Sequence, residues 1–124
     1  MPFDVVTGSN LPKTHLPFSP ATIAGGFVFL SGQASVDDAG NIKQDTFEKE
    51  FRLTMSNIQR ILTAAGVTLA DVCSVRSYVK DASDLPEYNK LYREYFKEPY
   101  PTRTTITNCL GKVKFEMDVV AYKK

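Results

Sequence analysis

The segment YPTRTTI, Tyr100 to Ile106, holds the residue whose chemistry stands out: an arginine followed by Thr104, Thr105 and Ile106, the β-branched run of a half-buried strand. A strand arginine can simply carry its guanidinium to solvent. Arg103 can also clamp an anion, because a planar, permanently charged fork matches a carboxylate with two parallel hydrogen bonds, where lysine offers only a point charge. Asn89 is a second polar residue of interest, on the edge of an apolar helical stripe. A buried amide without partners costs roughly 1 to 3 kcal/mol, so Asn89 is either a packed structural amide or a pocket residue. Cys73 and Cys109 stand in DVCSV and TNCLG with no CxxC spacing and no histidine near either. Both read as small core or turn residues and not as a disulfide. His15, in PKTHLPF, lacks the partners that a zinc site or a nucleophile relay needs, and reads as structural. No metal-ligand set is present in this pattern.

The chain that carries these residues has 124 of them, which suits one domain over 1–124 with a core of its own. Hydrophobic residues make up 43% and charged residues 23%, an ordinary globular balance that excludes a disordered or low-complexity chain. The net charge is +1 and no basic stripe is visible, so nucleic acid is a poor candidate partner, phosphate contacts being what dominates such affinity. The N-terminal MPFDVVTGSN carries an acid and no apolar run of signal-peptide length, and no later stretch is long and apolar enough to span a bilayer. A cytoplasmic protein with no membrane partner is expected.

Several elements must position the candidate residues. Residues 9 to 20 hold three prolines and read as an ordered loop, since Leu11, Leu16 and Phe18 call for burial. Gly25 and Gly26 lie between apolar runs on either side, the signal of a tight hairpin, and Asp37 to Asn41 form a further turn. Phe47, Phe51, Met55, Ile58, Leu62 and Ala65 recur every three or four residues and predict a helix, capped by Asp45 with Glu48 three residues on and stopped by Gly66. In VCSVRSYV, alternation sets Cys73, Val75, Ser77 and Val79 on one face of a strand and Ser74, Arg76 and Tyr78 on the other. A second helix is expected from about Asp84 to Lys97, capped by Ser83, with Leu85, Tyr88, Tyr92 and Phe96 buried. TRTTITNC and KVKFEMDVVAY then read as two strands of a hairpin around Leu110 and Gly111. Val113, Phe115, Met117 and Val119 should face the helices, while the parity of an even hairpin loop groups Arg103 and Thr105 with Glu116 and Asp118.

The expected fold class is therefore α+β, a mixed sheet with two helices packed on one face. The other face would show Arg103, Glu116, Tyr78, Tyr122 and one side of FVFLSG, a mixture of aromatic and charged groups that suggests self-association.

From about Pro17 to Ala121 the chain resembles the RidA/YjgF family of reactive intermediate deaminases, some of whose members carry an endoribonuclease label. FVFLSGQASV looks like the family's strand ending in SGQ, SNIQRILTAAGVTLADVCSVRSYVKD like its helix-to-strand core, LPEYNKLYREYF like its second helix, and YPTRTTI with VKFEMDVVA like its C-terminal signature. The resemblance implies a chorismate-mutase-like fold, a homotrimer around a central β-barrel with three clefts between subunits. It implies that Arg103 binds the carboxylate of a 2-imino acid and that Glu116 activates or orients the hydrolytic water. Thr105 would offer backbone groups to the ligand, and Phe18, Ser31, Gly32 and Asn89 would line the cleft. The implied reaction is hydrolysis of 2-imino or enamine acids to 2-keto acids and ammonia, with no cofactor. Two other readings stay open: a related deaminase acting on an aminomuconate or aminoacrylate derivative, and a non-catalytic trimer that binds small carboxylates or a protein. A surface pairing of Glu116 with Lys114 or Arg103 would contribute only about 0 to 1 kcal/mol. The chain departs from the family pattern at Phe18, where a tyrosine is usual, at Pro20 and Thr102, and in a shorter turn at Leu110-Gly111.

Overall fold

The computed structural model describes residues 2–12 and 14–124. Met1 and Lys13, the latter within the loop expected to be ordered, lie outside the described residues. In chain order the elements are β1 (Asp4–Val5), β2 (Ala21–Ala24), β3 (Phe27–Leu30), α1 (Phe47–Ala65), β4 (Val72–Val79), α2 (Leu85–Tyr95), β5 (Thr102–Thr107) and β6 (Phe115–Tyr122). The strands form one six-stranded sheet in the order β1-β2-β3-β6-β4-β5, antiparallel except for the parallel pair of β4 and β5. The mixed α+β architecture with two helices on one face is as expected. Phe51 of α1 and Tyr88 of α2 both pack on Phe115 of β6, with ring centroids at 4.7 and 5.7 Å.

Local chemistry accounts for most of these elements. Gly25 and Gly26 take φ values of 58° and 84°, the left-handed pair that a two-residue hairpin turn requires. Every apolar position of the predicted stripe in α1 is buried, and Gly66 ends the helix at φ 84°. The cap of α1 is Thr46, one residue later than expected, its hydroxyl accepting from the Lys49 N–H. The first turn of α2 is likewise displaced: Asp81 caps a short 3-10 turn at Ala82–Asp84, its carboxylate accepting from Ser83, so Ser83 caps nothing, and the helix proper starts at Leu85 with Pro86 in its first turn. Tyr88, Leu91, Tyr92 and Phe96 are buried on the inner side, with Leu85 only partly so. A bulge between Val72 and Ser74 buries Val72 and turns Cys73 outward, so Cys73 is exposed and not a core residue.

The C-terminal hairpin expected from the sequence does not form. Strand β6 inserts between β3 and β4, and β5 pairs with the far side of β4, parallel to it, after the α2 crossover. Pairing assigns the faces. Arg103 stands beside Val75 and Thr105 beside Ser77, on the helix side, whereas Glu116 stands beside Tyr78 and Asp118 beside Arg76, on the open side. Arg103 and Glu116 therefore lie on opposite faces of the sheet. The alternation within β6 holds, with Phe115, Met117 and Val119 buried against the helices. Phe27, Phe29 and Tyr122 are exposed on the open face, the rings of Phe27 and Tyr122 touching edge to face at 5.2 Å.

Two buried polar residues of α1 tie down the segment 34–45 and the start of β6. The Glu50 carboxylate, fully buried, accepts hydrogen bonds from the backbone N–H groups of Asp45 (3.0 Å) and Lys114 (2.8 Å), from the Ser35 hydroxyl (3.2 Å) and from the Lys114 ammonium (3.2 Å). The Asn57 amide donates to the carbonyls of Ala34 and Val36. Such satisfied networks hold irregular backbone in one conformation.

Candidate functional site

Strand β5 is an edge strand, and Arg103 projects from it on the helix side, beside the inner surface of α2. Its guanidinium carbon stands 5.0 Å from the ring centre of Tyr88 and 4.8 Å from that of Tyr92, two rings one helical turn apart. Tyr88 is fixed from behind, its hydroxyl donating to Ser77 Oγ at 2.6 Å, with Thr105 Oγ1 at 3.4 Å. A cavity of about 260 Å³ opens here, lined by Asn89, Tyr92, Arg93, Tyr100, Pro101 and Arg103. Arg93 adds a second positive charge and donates to the Asn89 carbonyl at 3.3 Å. Among the described residues no carboxylate comes within ion-pair distance of Arg103 or Arg93. A cation oriented by two aromatic faces and left without a counter-charge is equipped to receive an anion.

Glu116 faces a second and larger cavity, about 580 Å³, with Leu16, Phe18, Ser31, Gly32 and Ile42 among its walls. Leu16 and Phe18, whose apolar side chains call for burial, stay exposed in this chain and line this cavity, and the resemblance also sets Phe18 in the cleft lining. Ser31 is held by its hydroxyl, which donates to the Ser19 carbonyl at 2.6 Å, and by its N–H, which donates to the Pro20 carbonyl. Gly32 lies directly against the carboxylate: a methyl group at its Cα would stand 2.6 Å from Glu116 Oε2. Burial, and then the nearby charge of Asp118, push the Glu116 carboxyl above the usual carboxylate range. Asp118 is itself anchored by Arg76 at 2.9 Å and by the Tyr78 hydroxyl, which donates at 3.3 Å. The surface pairing of Glu116 with Lys114 or Arg103 is absent, since Lys114 turns to Glu50 and Arg103 occupies the opposite face.

The residues picked out from the sequence thus fall into two groups within one chain. Arg103, Asn89 and Thr105 gather on the helix side, and Glu116, Gly32, Ser31 and Phe18 gather on the open side. Asn89 is among the residues that line the Arg103 cavity. Tyr92, Tyr100 and Arg93 line the Arg103 cavity and Tyr88 lies under the guanidinium, and sequence reasoning singles out none of them for the site. Tyr88 and Tyr92 follow the apolar stripe of α2, and core spacing is indistinguishable from a stacking platform until a cation is seen above the rings.

Residues 8–123 match the protein family described as endoribonuclease L-PSP. The chain is 38% identical over 124 residues to a RutC family protein of Pyrococcus horikoshii, covering 98% of each, and 34% identical over 112 residues to the mitochondrial protein mmf2 of Schizosaccharomyces pombe, covering 85% of this chain and 86% of that one. It is 29% identical over 125 residues, 96% of each chain, to TdcF of Escherichia coli, a protein named as a candidate reactive intermediate deaminase. The crystal structure of TdcF with bound serine superimposes with a TM-score of 0.85 at 28% identity, covering 98% of this chain and 99% of TdcF.

Proposed function

Because the chain belongs to the RidA/YjgF family, we propose that it hydrolyses 2-imino acids and their enamine tautomers to 2-keto acids and ammonia, in three clefts between the subunits of a homotrimer. The observation that carries the reading is the division of the charges: an unpaired Arg103 on one face and an unpaired, half-buried Glu116 on the other. Neither group has a partner within its own chain among the described residues, and a second copy can bring the edge strand β5 of one subunit to the open face of the next. The exposed Phe27, Phe29 and Tyr122 support burial of that face.

In this reading the substrate carboxylate docks on the Arg103 fork, with Asn89 and Thr105 beside it, which places the protonated imine carbon toward the neighbouring Glu116. The raised pKa makes Glu116 a better base than an exposed carboxylate. Glu116 takes a proton from water as the oxygen bonds to the imine carbon, giving a carbinolamine. It returns that proton to the nitrogen, then takes the carbinol O–H proton as the C–N bond breaks and passes it to the departing ammonia, so that the 2-keto acid and an ammonium ion leave. Ser31 and Gly32 hold the floor under the carboxylate. No step needs more than positioning and charge placement.

The test generates 2-iminopropanoate and 2-iminobutanoate in place with an amino-acid oxidase and traps the residual imine with semicarbazide. The protein should remove the imine, Arg103→Lys should lose carboxylate binding with the fold intact, and Glu116→Gln should lower turnover more than binding. Full activity in Arg103→Lys would refute the clamp. The ring of Phe18 at the Glu116 cavity favours, as a second reading, a related deaminase acting on an aminomuconate or aminoacrylate derivative. Binding of small carboxylates without turnover of any imine would leave the non-catalytic trimer.

A further inference from the structure

Tyr88 and Tyr92 occupy equivalent positions on successive turns of α2, with ring centroids 5.7 Å apart, and both are buried. Their hydroxyls differ. That of Tyr88 donates to Ser77, whereas that of Tyr92 is the one buried side-chain polar atom among the described residues that has no hydrogen-bond partner. A buried hydroxyl stripped of water and given nothing in exchange is destabilising, and native proteins keep few of them. Tyr92 lines the Arg103 cavity, and the Arg103 guanidinium lies 4.8 Å from its ring centre. Burial, chiefly, pushes its pKa up to about 12, so the phenol keeps its proton at neutral pH and has a hydrogen bond to give.

We infer that the Tyr92 hydroxyl is a ligand-binding donor, which completes the clamp by hydrogen-bonding the anion seated on Arg103. A carboxylate has about four lone-pair sites on its two oxygens. The arginine fork takes two, and the remaining capacity is what Tyr92 meets. Rotation about the Cζ–O bond aims the proton at an anion in the cavity with no movement of the ring. The same arrangement selects planar anions over neutral ligands, because a neutral carbonyl offers Arg103 and Tyr92 a single oxygen without charge.

This inference rests on the proposed deaminase reading, and Tyr92→Phe separates the two. The variant removes one oxygen and no packing. The measurements are KM for 2-iminobutanoate, Kd for 2-oxobutanoate by calorimetry, the thermal midpoint and the sedimentation coefficient, each beside wild type and Arg103→Lys. KM and Kd should rise about tenfold, the loss of one hydrogen bond to a charged group. Turnover at saturation should change much less, and the midpoint should stay level or rise, since the unpartnered hydroxyl is gone. Unchanged KM and Kd overturn the inference, and with Arg103→Lys still defective they leave the deaminase reading standing. A lowered midpoint or a smaller assembly overturns it too, by showing that the hydroxyl serves the fold or a subunit contact. A wild-type protein that binds no 2-oxo acid defeats both.

Discussion

Gly32→Ala tests whether the position of the Glu116 carboxylate matters to the chemistry. An alanine methyl at this position would lie 2.6 Å from Glu116 Oε2 and 3.2 Å from its carboxyl carbon. Ordinary contact begins near 3.4 Å, so the carboxylate must retreat by about 0.8 Å (3.4 − 2.6). Gly32 does not lie in the left-handed region, so alanine brings no backbone strain. The atom in the way is the end of a flexible side chain, so the fold has little to lose and stability should hold within roughly 0.5 kcal/mol. Catalysis is less forgiving: a misplacement of about 1 Å costs on the order of 100-fold. The expectation is a fall in kcat of roughly 10- to 100-fold, equivalent to about 1.4 to 2.7 kcal/mol of barrier. The assay is semicarbazide trapping of 2-iminobutanoate, with thermal melting as the control. Wild-type turnover in Gly32→Ala would refute the claim that this carboxylate acts from the place where the structure holds it. So would a large drop in melting temperature, which would make Gly32 a residue of the fold.

Two other outcomes follow from the charges. In the proposed mechanism Glu116 is the base and must be ionised, so its raised pKa predicts that the acid limb of kcat/KM lies above the usual carboxyl range. In Asp118→Asn one of the causes of that shift is gone, and the limb should move to lower pH, read from a full pH profile; a limb that stays put or moves up would defeat the assignment. Glu50→Gln should lose about 3 kcal/mol of stability at neutral pH, the loss typical of breaking a buried charge network. Burial alone would raise the pKa of Glu50, but the N–H groups of Asp45 and Lys114 and the Lys114 ammonium outweigh it and hold the value below the ordinary 4.5. A depressed native pKa means stability that is complete above the unfolded value and lost as pH falls through the folded one. The gap between wild type and Glu50→Gln in urea unfolding should therefore narrow in acid, and a gap that widens there would show the sign to be wrong.

How far the site was legible in the sequence depends on the range of the interaction that sets each feature. The strands around Gly25-Gly26, the stripe of α1 and the alternation of Phe115, Met117 and Val119 all rest on residues a few positions apart, where backbone sterics and side-chain period decide the outcome. The cap of α1 and the turn before α2 moved by a residue or more, because several neighbouring oxygens compete for the same N–H groups. The bulge that exposes Cys73 breaks a period that the residues themselves keep.

The residue types of the candidate site were visible as well: an arginine in a β-branched run, a glutamate in an alternating strand and an amide at the border of a helix stripe. Their arrangement was not. Whether Arg103 and Glu116 share a face depends on which strand β5 pairs with, and local reasoning chose its neighbour in sequence, β6. The chain instead runs β6 antiparallel between β3 and β4, giving Phe115, Met117 and Val119 the fully covered centre of the sheet, and leaves β5 at the edge beside Val75 and Ser77. Burial of apolar surface is a property of the whole assembly of elements and has no signature in any short window. That choice alone moves Arg103 through the sheet, onto the rings of Tyr88 and Tyr92. The sequence by itself determined the elements and the chemical groups they carry; only the tertiary structure decided that Arg103 and Glu116 lie on opposite faces of the sheet, because strand order is settled by packing between residues far apart in the chain.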